Sequence, residues 1–275
     1  METLESLSAR IDTTGEIRGI VRTMKALSAV SIRRYEHAAA AIADYADTVE
    51  LGLQVVLRER RSEGGLLPPA AEDPRARPVL IVLGSDRGLC GRFNDRIAET
   101  ALQRMSGGRV LPLLCVMGVR TAARLTAAGR PPDRVVPEPG SVAGIAATVQ
   151  DAIVQIDSWR RQSGEGPVDL VFNRRSEESL AFPVHHQLLP LPRTFIEALA
   201  RRSWRSRSLP MFTMERGALL SWLLRQHLFV ALYRGMAESM ASEHASRLGA
   251  MQTAERNIEE RLEDLSALHR QIRQE

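Results

Sequence analysis

Three groups of residues have the types that catalysis or ligand binding would need. The first is Gly84-Ser85-Asp86-Arg87-Gly88-Leu89-Cys90-Gly91-Arg92-Phe93-Asn94, which follows an apolar run and leads into a helical pattern. Glycine-rich turns at such places cradle phosphates on backbone N–H groups at a helix N-terminus. This run fits neither G-x-G-x-x-G nor the P-loop, because no Lys-Ser/Thr follows its glycines. Cys90 would gain nucleophilic character beside a helix start, but no histidine lies near it in sequence. Asp86, Arg87, Gly88, Cys90 and Gly91 are therefore expected to form a structural or partner-contacting turn, with a nucleotide- or redox-dependent enzyme as the rival reading.

The second group, Ser242-Glu243-His244, holds a nucleophile, an acid and a base by type only. Consecutive helix positions splay by about 100°, so these side chains cannot converge on one substrate atom. The third, His185-His186, lies two residues beyond Pro183 without carboxylate or cysteine neighbours at ligand spacing, so no metal site is expected. With Cys90 and Cys115 as the only cysteines, a disulfide framework or Cys-rich zinc site is excluded. The expectation is no catalytic residue, no metal and no cofactor.

What holds these residues in place follows from where proline is absent. All 14 prolines of the 275-residue chain lie between Pro68 and Pro210. Proline inside a helix costs about 3 kcal/mol, so this segregation predicts two long helical ends around a folded middle. In the C-terminal end Leu248, Met251, Ala254 or Glu255, Ile258, Leu262, Leu265, Leu268 and Ile272 recur at the period of a coiled-coil seam. Glu255, Glu259, Glu260, Glu263 and Arg270 are expected outside it as solvated charges. The N-terminal end repeats more loosely through Leu4, Leu7, Ile11, Thr14, Ile17 or Arg18, Val21, Met24 and Leu27, and Gly15, Gly19, Gly235 and Gly249 could let two backbones approach. A 60-residue helix runs roughly 90 Å, too long for a compact globule of this size, so the ends are expected to pair antiparallel into a projecting stalk. Breaks at Gly52 or Gly217, giving a bundle, are the alternative.

The middle reads as strand Val79–Leu83, helix Asn94–Met105, strand Val110–Met117, helix Val119–Ala128, a turn-rich stretch from Pro131 to Gly140, helix Ser141–Trp159, strand Val168–Asn173 and extended Leu188–Leu191. Alternation of this kind predicts a largely parallel sheet covered on both faces. The fold class is α/β: a long antiparallel coiled coil of the terminal helices plus a central Rossmann-like domain. The expected divisions are 1–63, 64–210 and 211–275, with linkers at Glu63–Pro78 and Arg193–Pro210. The second linker carries Arg201, Arg202, Arg205 and Arg207 around Trp204.

Charge narrows the function classes. The net charge is +4, and Lys25 is the only lysine among 37 basic residues. Residues 1–67 carry 9 basic and 10 acidic side chains and residues 211–275 carry 8 and 9, poor material for nucleic-acid arms. The start Met1-Glu2-Thr3-Leu4-Glu5 lacks the basic and apolar regions of a signal peptide. No apolar run approaches the ~20 residues that span a bilayer. A cytoplasmic location is expected unless a partner holds the chain at a membrane.

Four motifs in order resemble the γ subunit of the rotary ATP synthase. Met24-Lys25-Ala26-Leu27-Ser28-Ala29-Val30-Ser31-Ile32-Arg33-Arg34 is similar to M-K-M-V-A-A-A-K-L-R-R, and Ser85–Asn94 to S-D-R-G-L-C-G-G-F-N. Gln187–Pro192 resembles Q-L-L-P-L-P, and Ser242–Met251 resembles S-E-H-A-A-R-M-x-A-M. The resemblance implies a non-catalytic rotor whose paired helices fill the bore of an α/β catalytic ring. Its α/β domain would sit with the ε subunit on a membrane ring of c subunits, coupling proton or sodium flow to ATP synthesis or hydrolysis. That places it peripherally on the cytoplasmic face of a bacterial plasma membrane, touching the membrane only through the complex. It also implies that Met24 and Lys25 face an acidic loop of a β subunit, that Glu243 and Arg247 engage a catch loop, and that Arg273 and Gln274 form a further polar pair. Arg92 departs from the family's second loop glycine, Gly84 from a threonine and Ser31 from a lysine. I-T-Q-E-L does not follow Glu275, so a shaft tip that is short or truncated is expected. A static coiled-coil scaffold is the remaining alternative.

Overall fold

The computed structural model describes residues 3–62, 76–107, 110–204, 207, 208 and 210–274. The 63/64 division, most of the first linker, Arg205 and Glu275 lie outside the described residues.

The helices are α1 (Leu4–Ala41), α2 (Ala43–Ser62), α3 (Phe93–Ser106), α4 (Val119–Ala127), α5 (Val142–Ser163), α6 (Arg193–Arg201) and α7 (Arg216–Gln274). The strands are β1 (Val79–Leu83), β2 (Leu113–Met117), β3 (Arg134–Val136), β4 (Val168–Arg174) and β5 (Phe182–Leu189). At 1.5 Å per residue, the 59-residue α7 runs about 88 Å. It pairs antiparallel with α1, where Arg22 bonds Glu255 and Glu259 and Tyr35 stacks on His244, and then with α2, where Tyr45 bonds Gln226.

The observed seam of α1 runs Leu7, Ile11, Thr14, Arg18, Val21, Lys25, Ser28, Ile32 and Tyr35, in steps of three and four. Of Ile17 or Arg18 it is Arg18 that lies in the seam, and Leu4 and Leu27, expected inside, are exposed. The seam of α7 agrees from Leu248 to Leu265, after which His269 turns inward and Leu268 outward. Glu255 corrects the expectation of a solvated charge, because it bridges Arg22 and Lys25 of α1.

The N-terminal end is not one helix. It is interrupted at Ile42, which has φ −76° and ψ −8° but still accepts from Ala46 N–H at 2.9 Å, and α2 continues along α7. There Val49, Leu53 and Val56 pack on Leu199 of α6 and on Leu223 and Val230 of α7. Gly52 lies inside α2, where a Cβ would stand 2.7 Å from Leu223, so it permits packing rather than a break. Gly15 and Gly19 face open space, and Gly235 and Gly249 meet Leu170 and Leu180. The glycines of α7 thus admit the α/β domain, not the partner helix.

The sheet has the order β3-β2-β1-β4-β5, parallel except for β5. Alternate residues of each inner strand divide between two cores. Val79, Ile81, Leu83, Cys115, Leu170 and Phe172 face α5 and α7, while Leu80, Val82, Leu114, Val116 and Val171 face α3 and α4. The expected strand from Val110 begins only at Leu113, because Pro112 has no N–H to pair and Leu111 is exposed. Two elements fall where turns or linker were expected. β3 is three residues pairing with β2, and α6 is an amphipathic helix seating Phe195 and Leu199 against α2 and α7.

Candidate functional site

The carboxyl ends of β1 and β4 meet the middle of α7, and the run from Gly84 to Phe93 lies beside that junction. Two glycines make this approach possible. A Cβ on Gly84 would stand 1.9 Å from Thr121 Oγ1. Gly118 has φ +103°, and a Cβ there would stand 2.5 Å from the Ser85 nitrogen.

Side chains buried beneath the loop hold its shape. Asn94 Oδ1 accepts from Ser85 N–H at 3.2 Å and from Thr121 Oγ1 at 2.6 Å, while Asn94 Nδ2 donates to Ser85 Oγ at 2.8 Å. Ser85 Oγ donates to Arg87 O at 2.9 Å. Asp86 accepts from Val119 N–H at the start of α4 at 2.8 Å and from Glu138 N–H at 2.9 Å. Glu138 accepts in return from Asp86 N–H at 3.2 Å. With these inner groups bonded, Arg87 and Leu89 face solvent. Leu89 does so from φ +62°, a left-handed conformation that branched residues rarely adopt, and is 62% exposed.

This arrangement is unsuited to phosphate. The N–H groups of Ser85, Asp86 and Val119 are already bonded to side-chain oxygens, two of those side chains being acids. Burial pushes the Cys90 thiol up, away from the thiolate a nucleophile needs. Cys115, buried on β2, is pushed up to about 12 by the same cause.

From α7, Arg247 donates to Gly88 O at 3.4 and 3.3 Å and pairs with Glu243. The sequence suggests an exposed pair four residues apart on one helix. The structure corrects this: Glu243 is 2% and Arg247 5% exposed, because the loop lies over them. His244, between them in sequence, turns the other way and stacks on Tyr35 with ring centroids 5.6 Å apart. Burial lowers the His244 pKa. Ser242, of the same run, donates to Leu180 O at 2.9 Å and never meets His244 as a base.

Glu138 is the residue that sequence reasoning missed. Desolvation first, then the neighbouring Glu243 carboxylate, raise its pKa to about 9. Its signal was its place: an acid between Pro137 and Pro139, just beyond a strand that a parallel sheet aligns with the carboxyl ends of β1 and β2.

The remaining expected contact residues lie apart. Lys25 pairs with Glu255 within the shaft, and Met24 beside it is half-buried. Arg273 and Gln274 are exposed in the last turn of α7. The shaft thus brings Glu243 and Arg247 to the loop residues Asp86, Arg87, Gly88, Cys90 and Gly91, but neither Lys25 nor Arg273. His185 bonds Asp169 at 2.6 Å on the sheet, and among the described residues no metal-holding cluster occurs. No described helix is long and apolar enough to cross a membrane.

A family model described as ATP synthase matches residues 3–275. The chain is 29% identical to the ATP synthase gamma chain of Granulibacter bethesdensis, over all of this chain and 94% of that one. It is 27% identical to that of Geotalea uraniireducens, over all of this chain and 93% of that one. In fold it is similar to a chain of the Euglena gracilis mitochondrial ATP synthase rotor, with TM-score 0.65, 13% identity and coverage of 98% and 97%. It is also similar to a chain of the Tetrahymena thermophila mitochondrial ATP synthase central stalk and c-ring, with TM-score 0.58, 18% identity and coverage of 86% and 99%.

Proposed function

We infer the work of this chain from where it belongs: it is a member of the ATP synthase gamma family, matched over residues 3–275. It is the non-catalytic central-stalk rotor of an ATP synthase, working with the alpha and beta subunits, the epsilon subunit and the c-ring. The observation that carries the reading is the shaft itself, an α7 of 59 residues paired with α1 and fastened at one end to an α/β domain.

Such a rod has no threefold symmetry. Inside a ring of three alternating pairs it meets each beta subunit with a different face, and differential contact biases each towards a different nucleotide-binding state. Turning the rod exchanges the states. The exposed Ile17, Ile20, Leu27 and Val30 of α1 supply an apolar face for such a sleeve. Met24, Lys25, Arg273 and Gln274 are the direct rotor–stator contacts of this reading. Glu243 and Arg247 act from inside the chain, holding Gly88 so that Arg87 and Leu89 present themselves to the ring. The complex sits at the cytoplasmic face of a bacterial plasma membrane, this chain being peripheral to it.

Native mass spectrometry of the chain purified with candidate subunits tests the reading. Assembly with alpha and beta subunits supports the rotor. Micromolar nucleotide binding to the isolated chain, lost on changing Gly88 or Gly91, supports the enzyme, and self-assembly alone supports a scaffold.

A further inference from the structure

Where α2 and α6 lie against α7 and the end of the sheet, they leave a cavity of about 290 Å³. That is the volume of about ten water molecules, at the small end of ligand sites. Part of its lining is apolar, from Val49 of α2, Phe172 of β4, Phe195 of α6 and Val230 of α7. The rest is polar, and its charges do not cancel.

Glu238 is shared between two cations. Its Oε2 accepts from Arg174 Nε at 2.7 Å and its Oε1 from Arg234 Nε at 2.8 Å. Each guanidinium thus spends its Nε–H, and among the described residues the terminal N–H groups of both bond nothing else in the chain. One carboxylate against two guanidiniums leaves a positive charge over. Arg174 is held over the Phe172 ring, 5.5 Å from its centroid. Glu50, the other acid of the lining, is bonded to Arg202 at 3.0 Å. His186 packs edge-on against Phe172 and His227 against Phe195, with ring centroids 5.3 and 5.0 Å apart. Among the described residues the ring nitrogens of both histidines lack a hydrogen-bond partner. An adjoining recess shares Arg174, Arg234 and Glu238, but it adds the self-balanced pair Arg175–Glu36 and no aromatic ring.

We propose that this cavity binds a small organic monoanion, an aryl or alkyl carboxylate whose charged end meets Arg174 and Arg234 and whose body lies on Phe172 and Phe195. A carboxylate matches the planar fork of a guanidinium and carries the one negative charge that the site lacks. A phosphate dianion would bring a second charge up against Glu238 with no cation to meet it. The apolar lining rewards a hydrocarbon body over a bare ion. Bound there, the ligand touches α2, α6, β4 and α7 at once, so it stabilises only their folded arrangement.

Calorimetric titration of the purified full chain with phenylbutyrate, a carboxylate on an aryl body of suitable size, tests the site. We expect a dissociation constant of about 1 mM or tighter. At about ten times that concentration the melting temperature should rise by about 3–6 °C. Arg234→Gln leaves Arg174 alone to balance Glu238 and should weaken binding by about tenfold or more. Ala231→Phe fills the cavity without touching its charges and should abolish binding. If neither variant folds, proton NMR of the wild-type chain decides. The ring signals of His186 and His227 should move on titration, while that of His269, near the far end of α7, stays in place. Equal affinity for uncharged phenylbutyramide or for inorganic phosphate overturns the proposal. So does binding unchanged in both variants, a titration that leaves the two histidine signals in place, or no binding in the millimolar range.

Discussion

Replacing Arg247 with alanine separates a buried joint from a surface ion pair. On an exposed helix face, loss of an i, i+4 pair costs a few tenths of a kcal/mol. Arg247 is 5% exposed, and its guanidinium serves both Glu243 and the Gly88 carbonyl. Its removal strands an acceptor on the loop and leaves the Glu243 carboxylate, itself 2% exposed, without its counter-charge. Breaking a buried pair in this way costs about 3–5 kcal/mol, a large part of the 5–15 kcal/mol typical of a folded chain. For a chain of this size the melting temperature should fall by roughly 6–20 °C. Arg247→Lys should fall between, keeping the charge but not the fork that reaches Gly88. Calorimetry of both variants, followed by ATP synthesis in the reconstituted complex, gives the reading, with synthesis expected to drop several-fold. A fall of about 2 °C or less in Arg247→Ala, the surface-pair size, would refute the reasoning.

Gly118→Ala should destabilise the α/β domain by about 2–6 kcal/mol, since it combines φ +103° with a Cβ 2.5 Å from a backbone nitrogen; denaturant titration checks this. Leu262→Pro should break α7 beyond its contacts with the domain, at about 3 kcal/mol or more, and hydrogen exchange should find the shaft loosened but β1, β2 and β4 still protected. Acid should destabilise the chain through His186, His227 and His244, each lowered from 6.5 chiefly by burial. Their stabilising neutral form is kept above 6.5 and lost as pH falls, so melting temperature should decline below that value, less steeply in His227→Phe.

What the sequence discloses depends on how local the cause is. Val79–Leu83 reads as a buried strand because every residue is apolar, and the absence of proline marks α7 at both ends. β3 has three residues, of which Arg134 and Val135 are exposed, so no periodicity announces it and only pairing with β2 makes it a strand. α6 hides in a stretch rich in arginine, yet Phe195 and Leu199 four apart were its signal. Burial of Glu243 and Arg247 was illegible for another reason. Spacing places them on one face of a helix but does not say what lies against that face, and the loop that covers them is some 155 residues away in sequence (Arg247 bonds Gly88 across 159). The loop motif itself was legible as a tight turn, whereas its partner Glu138 needed the topology of the sheet.

These contacts divide the shaft into two mechanical regimes. From residue 235 to 247 one face of α7 is anchored to the domain by groups out of reach of water. Gly235 lies on Leu170, Ser239 donates to Leu83 O at 3.2 Å, Ser242 to Leu180 O and Arg247 to Gly88 O. A twist of α7 against the domain must break these together, each bond being unreplaced by solvent as it goes. Beyond Met251, among the described residues, the helix meets α1 through a narrow seam and through Arg22 and Lys25 on Glu255 and Glu259, pairs whose basic partners are solvent-exposed and which weaken in salt. Torque entering at the domain is therefore passed rigidly into the foot of α7, while strain accumulates in the upper shaft, where bending and twisting disturb the weaker contacts. Arg247 stands at that boundary, tying α7 to the loop through Gly88 O, so its loss should loosen the domain from the shaft.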